Sequence, residues 1–281
     1  MAVLTEVDRY IYGARLKGFL NKPAESVAIL TEAIESHPDN VRLLRYRGHR
    51  RITIRDFHGA VADLERAGEL IAGQPDEHEF YQADIEPDIM NIIMDRDSQV
   101  RDQHIPVDDE TIAATSGMYK STLHGSIWYH LAVAKYLLGD FRGADEAFQR
   151  ASEVAVDDDL RVAILDWRYM SLRRSNQLAE AEALLATMSI ADYSVNAKED
   201  FYLRRLKLYK GGATPEDLVE RNSGSHLSVA TQGYGVGNWF LYNGQPDRAR
   251  ELFQQVLEHG FRDAFGYIAA EVELERLAGA N

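Results

Sequence analysis

Along much of this chain apolar residues recur three and four positions apart, the spacing of one face of an α-helix. Ala60, Leu64 and Ala67 form one such narrow stripe, and their small size lets a neighbouring helix approach closely. Gly18, the Gly139 and Asp140 pair, and the run from Asn243 to Pro246 interrupt periodic segments and are predicted as turns inside helical hairpins. The stripe itself returns at a period of about 34 residues. Leu30 and Ala33 are answered by Leu64 and Ala67, and Phe148 and Ala151 follow after a long interruption. A fourth, less regular hairpin joins Leu165 to Met170 with Ala181 to Leu185, and Pro246 to Leu257 supplies the second helix of the last one. Each hairpin in such a series leaves an apolar face that only its neighbours can cover. The stretch from Ala264 to Leu277 therefore reads as a terminal covering helix, and Phe265, Tyr267, Ile268 and Leu277 would offer a homodimer contact if that cover were incomplete.

The best-formed copy, counted from Gly125, has Trp128, Leu131, Ala132, Ala144, Phe148 and Ala151 at positions 4, 7, 8, 20, 24 and 27. A copy counted from Val41 repeats the pattern with Gly48, Ala60, Leu64 and Ala67, although Arg47 stands where Leu is expected. Gly237, Ala249 and Phe253 fit a copy counted from Ala230, and Pro38 closes the first one. This series resembles the tetratricopeptide repeat. The resemblance covers roughly 7–74, 125–192 and 230–263, with a weaker hairpin near 196–221. It implies an all-α fold: a right-handed superhelical solenoid of antiparallel helix hairpins forming one domain over 1–281, with a capping helix at about 263–278. It also implies a scaffold that holds proteins or peptides, without naming the partner.

Residues 72–124 depart from the repeat. Between Asp76 and Glu110 there are twelve acidic and two basic residues, around an apolar centre at Ile85, Ile89, Met90, Ile92, Ile93 and Met94. The segment is expected to be an irregular insertion containing a short helix, either structural or in contact with a ligand. Asp84, Glu86, Asp88, Asp95 and Asp97 lack the spacing and the glycine of a calcium loop, so they are expected to form a solvated acidic surface.

Charge and composition narrow the function. With 45 acidic against 31 basic residues and a net charge of −14, general nucleic-acid binding is disfavoured. No cysteine occurs, which removes disulfides and thiolate chemistry. No run approaches 18 apolar residues, so no membrane association is expected, and the N-terminal sequence lacks a signal pattern. A cytoplasmic location is the default expectation, with the periplasm or secretion also compatible if a leader has been removed. No cofactor is expected: Gly233, Gly235 and Gly237 do not have nucleotide-loop spacing.

Against this acidic background, Arg42, Arg45, Arg47, Arg50, Arg51 and Arg55 crowd one short region. The family resemblance places Arg42, Arg45, Tyr46 and His49 on the concave groove, with Ser126, Tyr129, His130 and Tyr136 contributed by the following copy. Guanidinium forks bind carboxylates and tyrosines add apolar area, so the set suits an acidic or carboxylate-bearing segment. It is similar to a carboxylate clamp without that clamp's usual Lys and Asn. Trp167, beside Asp166 and Arg173, is a further candidate anchor or a core residue. Two alternatives stay open. The arginines can pair with the chain's own acids, the insertion filling the groove in a self-assembling structural protein. A hydrolase would draw on Ser121, His124, Tyr129 and His130, although no nucleophile elbow or metalloprotease motif surrounds them.

Overall fold

The computed structural model describes residues 5–79, 94, 121–195, 201–220 and 225–279. Two compact units make up the chain, residues 1–134 with 150–157 and residues 135–149 with 158–281. The described residues are predominantly α-helical. The helices are α1 (Glu6–Phe19), α2 (Pro23–Ser36), α3 (Val41–Thr53), α4 (Phe57–Leu70), α5 (Leu123–Leu138), α6 (Phe141–Glu153), α7 (Asp158–Arg174), α8 (Leu178–Ala186), α9 (Phe201–Tyr209), α10 (Pro215–Glu220), α11 (His226–Tyr242), α12 (Pro246–His259) and α13 (Phe265–Gly279). A short antiparallel ribbon pairs β1 (His78–Glu79) with β2 (Ser121–Thr122), in the register His78 to Thr122 and Glu79 to Ser121. The apolar centre of the insertion, apart from Met94, and all five acidic residues weighed for calcium lie outside the described residues.

Local chemistry fixes where the helices begin. Thr5 and Asp8 form a reciprocal capping box at α1. Asn40, Asp56 and Ser225 each accept a backbone N–H with the side chain at the starts of α3, α4 and α11. Pro23 and Pro246 occupy first-turn positions that need no N–H donor.

Six of the odd-numbered helices, α1 to α11, end with one device. After α1, α3, α5, α7, α9 and α11 come Asn21, Arg55, Gly139, Asn176, Gly211 and Gly244, all with positive φ between 56° and 87°. The residue after each sends its N–H back five positions: Lys22 to Lys17, Asp56 to Arg51, Asp140 to Lys135, Gln177 to Leu172, Gly212 to Lys207 and Gln245 to Phe240, at 2.8–3.0 Å. This is the Schellman closure of a helix C-terminus. Asn21 and Arg55 are 34 residues apart, and the later four follow one another at 37, 35 and 33. Gly18, expected at the first turn, instead lies inside α1, where a Cβ would collide with the Arg50 guanidinium.

Packing within hairpins sets a small residue against a large one. A Cβ on Gly48 of α3 would lie 2.6 Å from Leu64 of α4, and one on Gly237 of α11 would lie 2.6 Å from Phe253 of α12. In the first unit, Ile11 and Ala14 of α1, Leu30 and Ala33 of α2, and Leu43 and Tyr46 of α3 share one buried cluster. Leu44 of α3, Ala67 of α4 and Ile127 of α5 share the next. A pair of helices thus completes its core only with the first helix of its successor. In the second unit α13 packs on α11 and α12, burying Tyr267, Ile268, Ala269 and Ala270. Tyr267 and Ile268, considered above for a homodimer contact, are therefore consumed inside the unit.

The second unit also contains a fully buried ion pair. Arg205 of α9 and Asp166 of α7 are 1% and 0% exposed and meet through two parallel bonds, Nε to Oδ1 at 2.9 Å and Nη2 to Oδ2 at 2.7 Å. Tyr209 donates to the same carboxylate, and Arg205 Nη1 donates to the Thr231 carbonyl and the Gln232 side chain. Gly235 of α11 leaves the room the guanidinium occupies, because a Cβ there would overlap the Arg205 side chain. With four bonds holding it, Arg205 cannot swing aside. Gly235→Ala is therefore expected to lower stability by about 1–3 kcal/mol, and Asp166→Ala, which strands the buried cation, by about 3–5 kcal/mol. Urea unfolding of each variant measures this, and unchanged midpoints would refute the packing role.

Candidate functional site

On α3, Arg42, Arg45, Tyr46 and His49 follow one another at intervals of three, one and three, so Arg45 and His49 stand one turn apart. On α5, Ser126 and His130 have the same relation, with Tyr129 beside them. The two pairs meet turn against turn. Arg45 Nη2 donates to Ser126 Oγ at 3.0 Å, and the His49 and His130 rings lie 4.4 Å apart, tilted by 32°. Tyr129 presents its ring to His130 edge-on at 5.7 Å, and the Arg45 guanidinium sits 4.3 Å from the centre of the Tyr46 ring.

The Arg45 guanidinium holds a carboxylate. Its Nη2 donates to Glu79 Oε2 at 2.6 Å, and both side chains are 9% exposed. Glu79 lies on β1 opposite Ser121 of β2, and the Ser121 hydroxyl meets the Ser126 hydroxyl at 2.7 Å. Both members of that ribbon pair are thereby tied to the α3 and α5 faces. β2 leads directly into α5, where Thr122 Oγ1 accepts the Gly125 N–H and Asp76 Oδ1 accepts the His124 N–H. The segment 72–124, set aside as foreign to the repeat, thus supplies both the start of α5 and an acid for Arg45.

Three other arginines of the cluster also meet acids of their own chain. Arg42 pairs with Asp8 of α1 at 2.6 Å. Arg47 grips Asp63 of α4 through Nε and Nη2 at 2.8 and 2.7 Å, and Arg51 reaches the same carboxylate at 3.1 Å. What reads in sequence as a basic patch is, in the structure, largely a set of internal ion pairs. Glu79 was not singled out by sequence: it stands 34 residues from Arg45 among many acids, with no local pattern to mark it.

The remaining candidates lie in the second unit. Tyr136 and Trp167 are 0% and 2% exposed, in an aromatic core with Phe148, Tyr234 and Phe253. Tyr234 donates to the Tyr136 hydroxyl at 2.8 Å, and burial pushes the Tyr136 phenol up to about 12. Asp166, expected beside Trp167 and Arg173, is engaged by Arg205. Arg173 instead donates to the Tyr169 hydroxyl and the Asn243 side chain. Of the residues considered for hydrolysis, Tyr129 and His130 meet edge-on, while Ser121 meets Ser126 and His124 faces Asp76 at 4.0 Å.

Among the described residues no helix is long and apolar enough to cross a membrane, and no group of three or more His, Asp or Glu could hold a metal ion. No family model matches the chain, and a search of curated proteins finds no match either.

The histidine pair gives the site a pH response. Burial and the nearby Arg45 and Arg50 charges drive His130 down to about 3, while its contact with the Ser126 carbonyl, 2.5 Å from Nδ1, opposes the shift. Burial, then His130, Arg50 and Arg45, holds His49 well below its ordinary value. Both rings are neutral at pH 7, so the unfolded chain gains protons first on acidification. For His130, stability is intact above pH 6.5 and should fall as pH drops from there toward 3, and the lowered His49 adds to the loss in the same direction. Urea midpoints taken between pH 7 and pH 5 should fall less steeply in His130→Gln than in the wild type. An equal slope would show that His130 does not carry the response.

Proposed function

We propose that this chain is a helical-repeat solenoid of the tetratricopeptide kind that holds a protein or peptide partner and performs no chemistry of its own. The recurrent turn supports the repeat reading: six Schellman closures follow alternate helices among the described residues, and within each uninterrupted stretch they are 33 to 37 residues apart. The small-against-large contacts at Gly48 with Leu64 and Gly237 with Phe253 fall at positions 8 and 24 of the repeat pattern. On this reading α1, α3 and α5 are the first helices of successive hairpins, and the face carrying Arg45, Tyr46, His49, Tyr129 and His130 is the groove.

One observation carries the binding function. Arg45, backed by the Ser126 hydroxyl and bordered by two tyrosines and two histidines, already grips a carboxylate. A guanidinium desolvated in this way gives a charge-assisted bond to an acidic group, and flanking aromatic rings supply apolar contact. The partner segment that fits is acidic or ends in a free carboxylate, with an apolar residue adjacent. The structural alternative rests on the same bond: Glu79 belongs to this chain, and permanent occupation by it would make the site an internal brace.

Fluorescence anisotropy with a glutamate-rich peptide and its glutamine counterpart separates the two. The acidic peptide is expected to bind the wild type more tightly, and Arg45→Lys, which keeps the charge but loses the planar fork, to weaken it about tenfold. Equal affinity for the two peptides, or indifference to Arg45→Lys, would overturn the binding reading.

A further inference from the structure

We infer that the Arg45 seat is a carboxylate receptor in which Glu79 is an exchangeable intramolecular occupant, so that the β1–β2 ribbon competes with a partner's carboxylate. The inference rests on the proposed binding function only for its biological role; the chemistry of the seat stands on geometry. The main observation is a contrast among arginines that meet a carboxylate away from open solvent. Arg47 holds Asp63 through both Nε and Nη2, Arg205 holds Asp166 through the same two nitrogens, and Arg174 holds Glu273 through Nη1 and Nη2. Arg45 makes a single bond to its carboxylate, from Nη2, while its Nε is buried with no hydrogen-bond partner.

A guanidinium binds a carboxylate best through two parallel N–H bonds, and a buried donor left unmade is costly. The Nε and Nη2 edge of Arg45 is therefore half used. A carboxylate free to approach side-on would satisfy both donors; Glu79, fixed by its place opposite Ser121 in the ribbon register, satisfies one. The fully bonded arginines serve as braces. Arg45 retains an unused Nε donor at a residue only 7% exposed, whereas Arg51 and Arg173, whose Nε atoms also lack a partner, are less deeply buried.

Chemical rescue tests this. Glu79→Ala removes the occupant and is expected to unfold at lower temperature than the wild type. Sodium acetate should then raise its midpoint saturably above that in sodium chloride of equal ionic strength, while leaving the wild type and the Arg45→Met, Glu79→Ala double variant unchanged relative to chloride. Equal midpoints in acetate and chloride for a folded Glu79→Ala chain would overturn the inference. Should Glu79→Ala fail to fold, Glu79→Gln keeps the size of the occupant and removes its charge, and the same comparison applies to it. In a second arm, Glu79→Gln should bind the glutamate-rich peptide more tightly than the wild type, on the order of tenfold, because the competitor is weakened. Acetate rescue with no gain in peptide affinity would uphold the receptor and sink the peptide-partner reading. Peptide binding without acetate rescue would sink the receptor and leave that reading standing at another surface.

Discussion

A guanidinium packed among helices is strongly favoured to meet a carboxylate, and this constraint shapes the ion pairs of the described residues. Leaving either charge alone in an apolar interior costs far more than their mutual attraction returns at a solvated surface. Arg47 is therefore matched to Asp63, Arg174 to Glu273 and Arg205 to Asp166, each by two bonds. Each bridge joins different helices: Arg47 ties α3 to α4, Arg205 ties α9 to α7, and Arg174 ties α7 to α13. The same need explains why a cluster of six arginines on an acidic protein does not present an open basic surface. Four of them are engaged by carboxylates of this chain. Arg45 differs from the braces because its match is incomplete.

Much of the helical architecture is legible in the sequence because its signals are local. A stripe of Ala60, Leu64 and Ala67 can only be one face of a helix, and Gly48 and Gly237 are small because Leu64 and Phe253 fill the space opposite. Gly139 and Gly244 announce left-handed turns for the same local reason. Where the turn is built on Asn21, Arg55 or Asn176, the signal fades: the backbone adopts the same closure, but the residue does not advertise it. Gly18 misled for the complementary reason. It is small to admit Arg50, a contact between two helices, and a glycine kept for close approach looks in sequence like one kept for a turn.

Part of the candidate site's grouping was legible in the sequence, and its carboxylate was not. Arg45, Tyr46, His49, Tyr129 and His130 do come together, because helical spacing alone places them on facing turns of α3 and α5. Tyr136 and Trp167 sit in the aromatic core of the second unit, where a large ring is needed to fill volume. Helical periodicity cannot distinguish a ring that lines a groove from one that fills a core. Glu79 escaped notice because no local rule links Arg45 to an acid from a different element.

The central claim is that Arg45 and Glu79 form an under-bonded pair, unlike the bridges of Arg47, Arg174 and Arg205. Double-mutant cycles by urea unfolding test it directly, comparing Arg45→Met with Glu79→Gln and Arg205→Met with Asp166→Asn. The account predicts a coupling of about 1 kcal/mol at Arg45 and Glu79 and about 3 kcal/mol at Arg205 and Asp166. Equal couplings, or a stronger one at Arg45, would show that Glu79 is a fixed brace and would contradict the claim that its seat is open to exchange.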